Sequence, residues 1–93
     1  NGLVVVNIII DENDEMLGEP WCEIRGLADY GQSDCNLIDV LEEDLSQHIG
    51  RSSVSLIQDD DKLEKEIKRI TQQTTLAEIG KKPEVSIIIS RLS

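Results

Sequence analysis

The sequence predicts an α+β fold in two layers: a three-stranded sheet of order 2-1-3 with two helices on one face, in chain order β-β-α-α-β. Three observations carry this. The run LVVVNIII at 3–10 holds seven apolar residues in eight positions, mostly β-branched, as in a strand buried on both faces at a sheet centre. The stretches WCEIR and EVSIIIS alternate with period two, as half-buried outer strands do. Between them apolar residues recur twice at helical spacing.

The elements follow in order. After the first strand, DENDEMLGEP at 11–20 is acidic and carries Gly and Pro, the composition of a long hairpin loop. In the second strand Cys22 and Ile24 share one face, and Trp21, Glu23 and Arg25 the other. A turn-like ADYGQSD then brings Ser33 or Asp34 to the N-cap of a helix, where a side-chain oxygen accepts a free backbone N–H. Leu37, Leu41, Leu45 and Ile49, joined by Ile38, form that helix's stripe, and Gly50 stands at its C-terminal cap. The segment RSSVSLIQ is a connector of undefined form. Asp59, Asp60 and Asp61 open a second helix at the end where the macrodipole favours negative charge. Its stripe is Leu63, Ile67, Ile70, Thr74 and Ala77. Leu76 and Ile79 fall off the stripe, so either the helix bends near TQQTT or its last turn contacts something else, which leaves these two residues between core and interface. Gly80 ends the helix, and Pro83 leads into the last strand.

The 93 residues make one domain, 1–93. A chain of this size hides roughly 60–65% of its unfolded surface, enough for a modest core. With one Trp, one Tyr and no Phe, that core is aliphatic. No basic segment precedes the first apolar run and no small-residue cleavage site follows it, so it does not read as a secretory signal. Nor does it reach the ~20 residues of a membrane-spanning helix, so the chain reads as soluble. A first residue other than Met is expected of a segment from a longer protein. The net charge of -10, from 19 acidic and 9 basic residues, repels phosphate backbones. Two cysteines make no disulfide framework, and buried or half-buried reduced thiols of a cytosolic protein are the expectation.

Candidate chemistry is sparse. DENDE sets Asp11, Asn13 and Glu15 at alternate positions, but Met16 and Cys22 stand where an EF-hand loop needs Gly and Glu. A solvated hairpin tip is the stronger reading. His48 is the only histidine, without a companion constellation. Cys22 shares the inward face of Ile24, where a thiol is inert. Lys62, Lys65 and Arg69 line one side of the second helix as a candidate RNA contact, although alternating charges of this kind usually mark a solvated face.

The sheet face opposite the helices is more informative. If Val4, Val6, Ile8, Ile10, Cys22, Ile24, Val85, Ile87 and Ile89 face the helices, then Leu3, Val5, Asn7, Ile9, Trp21, Glu23, Arg25 and Ile88 face away. Apolar patches rimmed by charge mark interaction sites, and Trp and Arg are enriched in hot spots. Leu3, Val5, Ile9, Trp21, Arg25 and Ile88 are therefore the candidate protein interface. Loops folding over this face, or helices on both sides of the sheet, are the alternatives.

The opening NGLVVVNIIID, the hairpin LGEPWCEIRGL, the helical middle and the closing GKKPEVSIIISRL together resemble the small C-terminal domain of ribonuclease J. That enzyme belongs to the β-CASP branch of the metallo-β-lactamase superfamily. Arg25-Gly26 and Lys81-Lys82-Pro83 are the closest matches, and the GKKP form is similar to α-proteobacterial versions. The family's zinc-binding motif of clustered His and Asp is absent, so the resemblance carries over no catalytic or metal residue. It implies a cytoplasmic parent, a zinc-dependent exo- and endoribonuclease of RNA processing. The zinc would sit in the parent's catalytic domain, with no cofactor in this segment. The segment itself would be a non-catalytic assembly or positioning module. Its partners would be the catalytic domains of the same chain or a second subunit in a homo-oligomer, with RNA reached through the parent and no membrane. The alternative is an accessory RNA-contacting module using the basic side of the second helix.

Overall fold

A computed structural model describes residues 2–92. Its elements are β1 (Leu3–Ile10), β2 (Trp21–Arg25), α1 (Leu37–Gly50), α2 (Val54–Gln58), α3 (Asp60–Ile79) and β3 (Glu84–Arg91). The sheet has the expected order β2-β1-β3. β1 pairs antiparallel with β2 and parallel with β3, so both of its edges are hydrogen-bonded. The parallel pairing follows from the helical crossover that separates the two strands.

One face of β1 builds the core. Val4, Val6, Ile8 and Ile10 are completely or almost completely buried, and they join Leu37, Leu41, Leu45 and Ile49 of α1 and Leu63, Ile67 and Ile70 of α3. Cys22 and Ile24 from β2 and Val85, Ile87 and Ile89 from β3 complete it. Register explains the arrangement: Val4 lies between Ile24 and Val85, and Val6 between Cys22 and Ile87. All of these residues point to one side, so the helices cover one face only. Each fully buried Leu or Ile contributes roughly 1.5–3 kcal/mol from area removed from water.

Several local expectations are corrected. The N-cap of α1 is Asn36, whose side chain accepts from Ile38 N–H at 3.0 Å, rather than Ser33 or Asp34. Ser33 is engaged elsewhere, with Glu78, and Asp34 adopts a left-handed conformation unsuited to a cap. Gly50 is the last residue of α1 and Arg51 its C-cap. Within the undefined connector, Ser53 caps a five-residue helix, α2, which buries Ile57. Asp59 ends α2 and also caps α3, its carboxylate accepting from the N–H groups of Asp61 and Lys62.

Helix α3 runs unbroken through TQQTT to Gly80, which caps it in the left-handed conformation. Ala77 is exposed rather than part of the stripe, because Thr71, Thr74 and Thr75 supply the buried surface of its second half. Two of these hydroxyls are satisfied: Thr75 donates to the Thr71 carbonyl, and Thr74 to the Asp44 carboxylate of α1 at 2.7 Å. The hydroxyl of Thr71 has no partner among the described residues. At the end of α3, Ile79 packs on the core, while Leu76 remains half exposed.

Arg91 at the end of β3 ties the layers together. Its guanidinium bonds Asp60 at the start of α3 and the Ile57 carbonyl of α2, and lies 3.6 Å from the Asp14 carboxylate of the hairpin.

The segment after β2 folds against the end of α3, where Gln32 N–H donates to the Glu78 carbonyl at 2.8 Å. This approach requires glycine at 31, since a Cβ there would lie 2.4 Å from the Glu78 carbonyl oxygen. Gly31→Ala must displace backbone on one side. We expect it to cost about 1–3 kcal/mol and to lower the thermal midpoint by roughly 4–24 °C; a thermal melt followed by circular dichroism checks this.

Candidate protein interface

The face of the sheet turned away from the helices is uncovered among the described residues, and the strand register maps it row by row. Leu3 lies between Arg25 and Glu84, Val5 between Glu23 and Ser86, and Asn7 between Trp21 and Ile88. Ile9 has Ser90 on one side. On its other side the chain adds a residue that sequence reasoning missed. Met16 bridges Ile10, and Leu17 N–H donates to the Ile9 carbonyl at 2.7 Å, so the antiparallel ladder continues past the hairpin tip and sets Leu17 beside Ile9. Leu92 N–H donates to the Ile10 carbonyl, extending β3's alternation of Ser86, Ile88 and Ser90 onto the same face.

The face is therefore divided. At the hairpin end Ile9, Leu17, Trp21, Ile88 and Leu92 are 43–57% exposed and form an apolar patch. At the other end Arg25, Glu23 and Glu84 form a rim of both charges around Leu3 and Val5, which are half-buried by their strand neighbours. Of the six candidate interface residues, the structure thus puts Ile9, Trp21 and Ile88 in the patch and Leu3, Val5 and Arg25 beside it. Leu17 was hidden in a segment read as loop. The tight turn at 11–15, in which Asp11 accepts from Asn13 and Glu15 N–H, is the signal that 16–17 must mirror 10–9.

The basic residues lie on the other layer. Lys62, Lys65 and Arg69 are all exposed on α3. Arg69 is held by Glu66 and by Gln73, so its charge is already paired. Lys65 and Lys68 flank a shallow groove beside β3 with Asp61 and Glu64, two charges of each sign. His48 is exposed on α1, with Nδ1 2.8 Å from the Asp44 carbonyl oxygen. No group of three or more His, Cys, Asp or Glu side chains is disposed to hold a metal among the described residues. No described helix is long and apolar enough to cross a membrane.

The two thiols differ. Cys22 is buried, while Cys35 is exposed in the loop ahead of α1, contrary to the expectation that both are at least half-buried. Cys22 N–H points away from β1 and donates to Glu42 Oε2 of α1 at 2.9 Å, which occupies the outer edge of β2 at that point. Burial, and secondarily the Glu42 carboxylate, push the Cys22 thiol up from 9.0 to about 12. It stays protonated and unreactive near neutrality. Because its folded value is the higher one, the stability it contributes is full below pH 9 and is lost as pH rises through about 12. Iodoacetamide at pH 8 should therefore label Cys35 fully and Cys22 only after denaturation; mass spectrometry of the intact and digested chain reads this directly.

Compared with known families, residues 1–92 match the model described as the ribonuclease J C-terminal domain. No curated protein and no solved structure matches the chain.

Proposed function

The chain belongs to the ribonuclease J C-terminal domain family, and from that premise and the geometry of its sheet we propose that it is a non-catalytic assembly and positioning module of a longer ribonuclease. The parent would be a cytoplasmic zinc-dependent hydrolase of RNA, with its metal in a separate catalytic domain. The observation that carries this reading is the uncovered patch of Ile9, Leu17, Trp21, Ile88 and Leu92, set beside a charged rim. An apolar centre with a polar rim is the anatomy of a protein interface. Large aromatic side chains at such a centre commonly carry much of the binding energy. The module contributes area and orientation to the parent, and the parent contributes the chemistry.

A direct RNA contact through Lys62 and Lys65 is the weaker reading. Arg69 is neutralised within its own helix, acidic side chains neighbour Lys65, and the net charge is -10. Single-stranded RNA titrated into the chain at low salt should give no saturable binding, whereas a phosphate-driven contact would appear there and weaken steeply with salt. In the full-length ribonuclease, Trp21→Ala should weaken docking of this module by tenfold or more, about 1.4 kcal/mol or above. Light scattering would read this as a shift in mass, or limited proteolysis as release of the module. An unchanged mass and cleavage pattern in that variant would remove the proposal.

A further inference from the structure

Helix α3 runs through TQQTT without a bend, so its last turn is the part that contacts something else, and this applies to Leu76 alone. Ile79 packs on the core. Leu76 is 51% exposed and is the single large apolar side chain that α3 turns to solvent. It lines a shallow groove of about 300 Å³ with Arg69, Gln72, Gln73 and Lys82. That volume lies at the lower limit of ligand pockets, roughly 300–1,000 Å³, and suits one or two side chains. The groove is rich in donors. Gln72 donates to the Pro83 carbonyl at 3.0 Å, which fixes the helix against the turn that carries Lys82. Gln73 accepts from Arg69 Nη1 at 3.1 Å, so its amide is held by the oxygen, and its NH2 group has no partner among the described residues. Lys82 is exposed and adds an ammonium. Among the described residues no acidic side chain lines the groove. The acids nearest in sequence are engaged elsewhere: Glu66 with Arg69, Glu78 with Ser33, and Glu84 at the rim of the opposite sheet face.

Charge is segregated along the chain in the same sense. All five lysines lie between Lys62 and Lys82, and none is ion-paired among the described residues, whose ion pairs belong to Arg69 and Arg91. Segment 62–82 holds six basic and three acidic residues, in a chain with 9 basic and 19 acidic. At about 0.1 M salt, charges more than ~10 Å apart are largely screened. At this groove the local bases therefore prevail over the net charge of -10. A carboxylate only accepts hydrogen bonds and the groove mainly offers donors, so what fits is an apolar side chain over Leu76 with carboxylates beside it. The apolar centre with a charged rim is the pattern of a protein contact, whereas a phosphate contact needs the charge and has no use for the leucine.

We infer that the groove at Leu76 is a second docking surface, on the helical layer, and that it takes an acidic segment of another protein in which a large apolar side chain sits beside Asp or Glu. It is separate from the sheet patch. The helices cover the face of the sheet opposite that patch, so both surfaces can be occupied at once. Assembly of the parent and recruitment of a second protein then use opposite faces of one module.

The 93-residue chain carries a complete core of its own, so a selection can be made on it directly. Random peptides displayed on phage and bound at about 0.1 M salt should enrich sequences that are net acidic and hold at least one Leu, Ile, Met or Phe. The strongest of them, synthesised and titrated by fluorescence anisotropy, should lose about tenfold or more in affinity for the Leu76→Ala chain and for the Lys82→Glu chain. Leu76 and Lys82 are exposed and Ala is a strong helix former, so neither substitution disturbs the fold. Lys62→Glu makes the same change in net charge roughly 21 Å along α3 from Leu76 and should leave the affinity within about twofold. Four results would each overturn the proposal: a selection that enriches nothing over the Leu76→Ala chain, enriched peptides that are basic or uncharged, equal losses in Lys62→Glu and Lys82→Glu, or displacement of the peptide by single-stranded oligouridylate at the same salt.

Discussion

The structure depends on the double pairing of β1. A central strand hydrogen-bonded on both edges has no backbone group left to satisfy, so its side chains alone decide what surrounds it. Its even-numbered residues, from Val4 to Ile10, hold all three helices against one face of the sheet. Its odd-numbered residues cannot be buried by the same helices, and no further element among the described residues covers them. The open face is thus a direct result of building a two-layer fold on a strand that is apolar on both sides.

The same constraint shapes the outer strands. Each meets β1 through one edge and presents the other outward, and the two are finished in different ways. On β2 a carboxylate from α1 takes up an outward N–H and, by its charge, helps to keep the neighbouring thiol protonated. On β3 the ends are anchored, by Arg91 to Asp60 and by Gln72 to the Pro83 carbonyl, while no strand among the described residues lies beyond its middle. Anchoring at the ends keeps a long strand straight and in register.

How much of this was legible depended on whether periodicity or local geometry carried the information. The strands, the order 2-1-3, the stripe from Leu37 to Ile49 and the inward thiol at Cys22 all follow from period and composition, and the structure has them. The N-cap at Asn36 was missed because Ser33 and Asp34 have equal capping chemistry, and only the packing of residues 31–33 on Glu78 removes them from contention. Helix α2 was missed because five residues carry too little periodicity to read. Ala77 yielded its place to threonines because a buried hydroxyl can bond a helix carbonyl or a neighbouring carboxylate, which a hydropathy stripe does not anticipate. Leu17 escaped because hairpin pairing resumes directly after the acidic turn at 11–15, inside a segment whose composition reads as loop.

The parallel pairing of β1 with β3 has a consequence for how the chain is made. Leu3 is matched with Glu84, so one edge of the central strand stays vacant while nearly the whole domain is synthesised. At ribosomal rates of about 5–20 residues per second, that interval lasts several seconds. Throughout it, the most apolar segment of the sequence can form its hairpin with β2 but cannot complete its sheet. Contacts so distant in sequence also slow folding after release, because a large loop must close before they stabilise anything. The strand that organises the finished domain is therefore the one longest at risk in the nascent chain, and β3 is what ends that exposure.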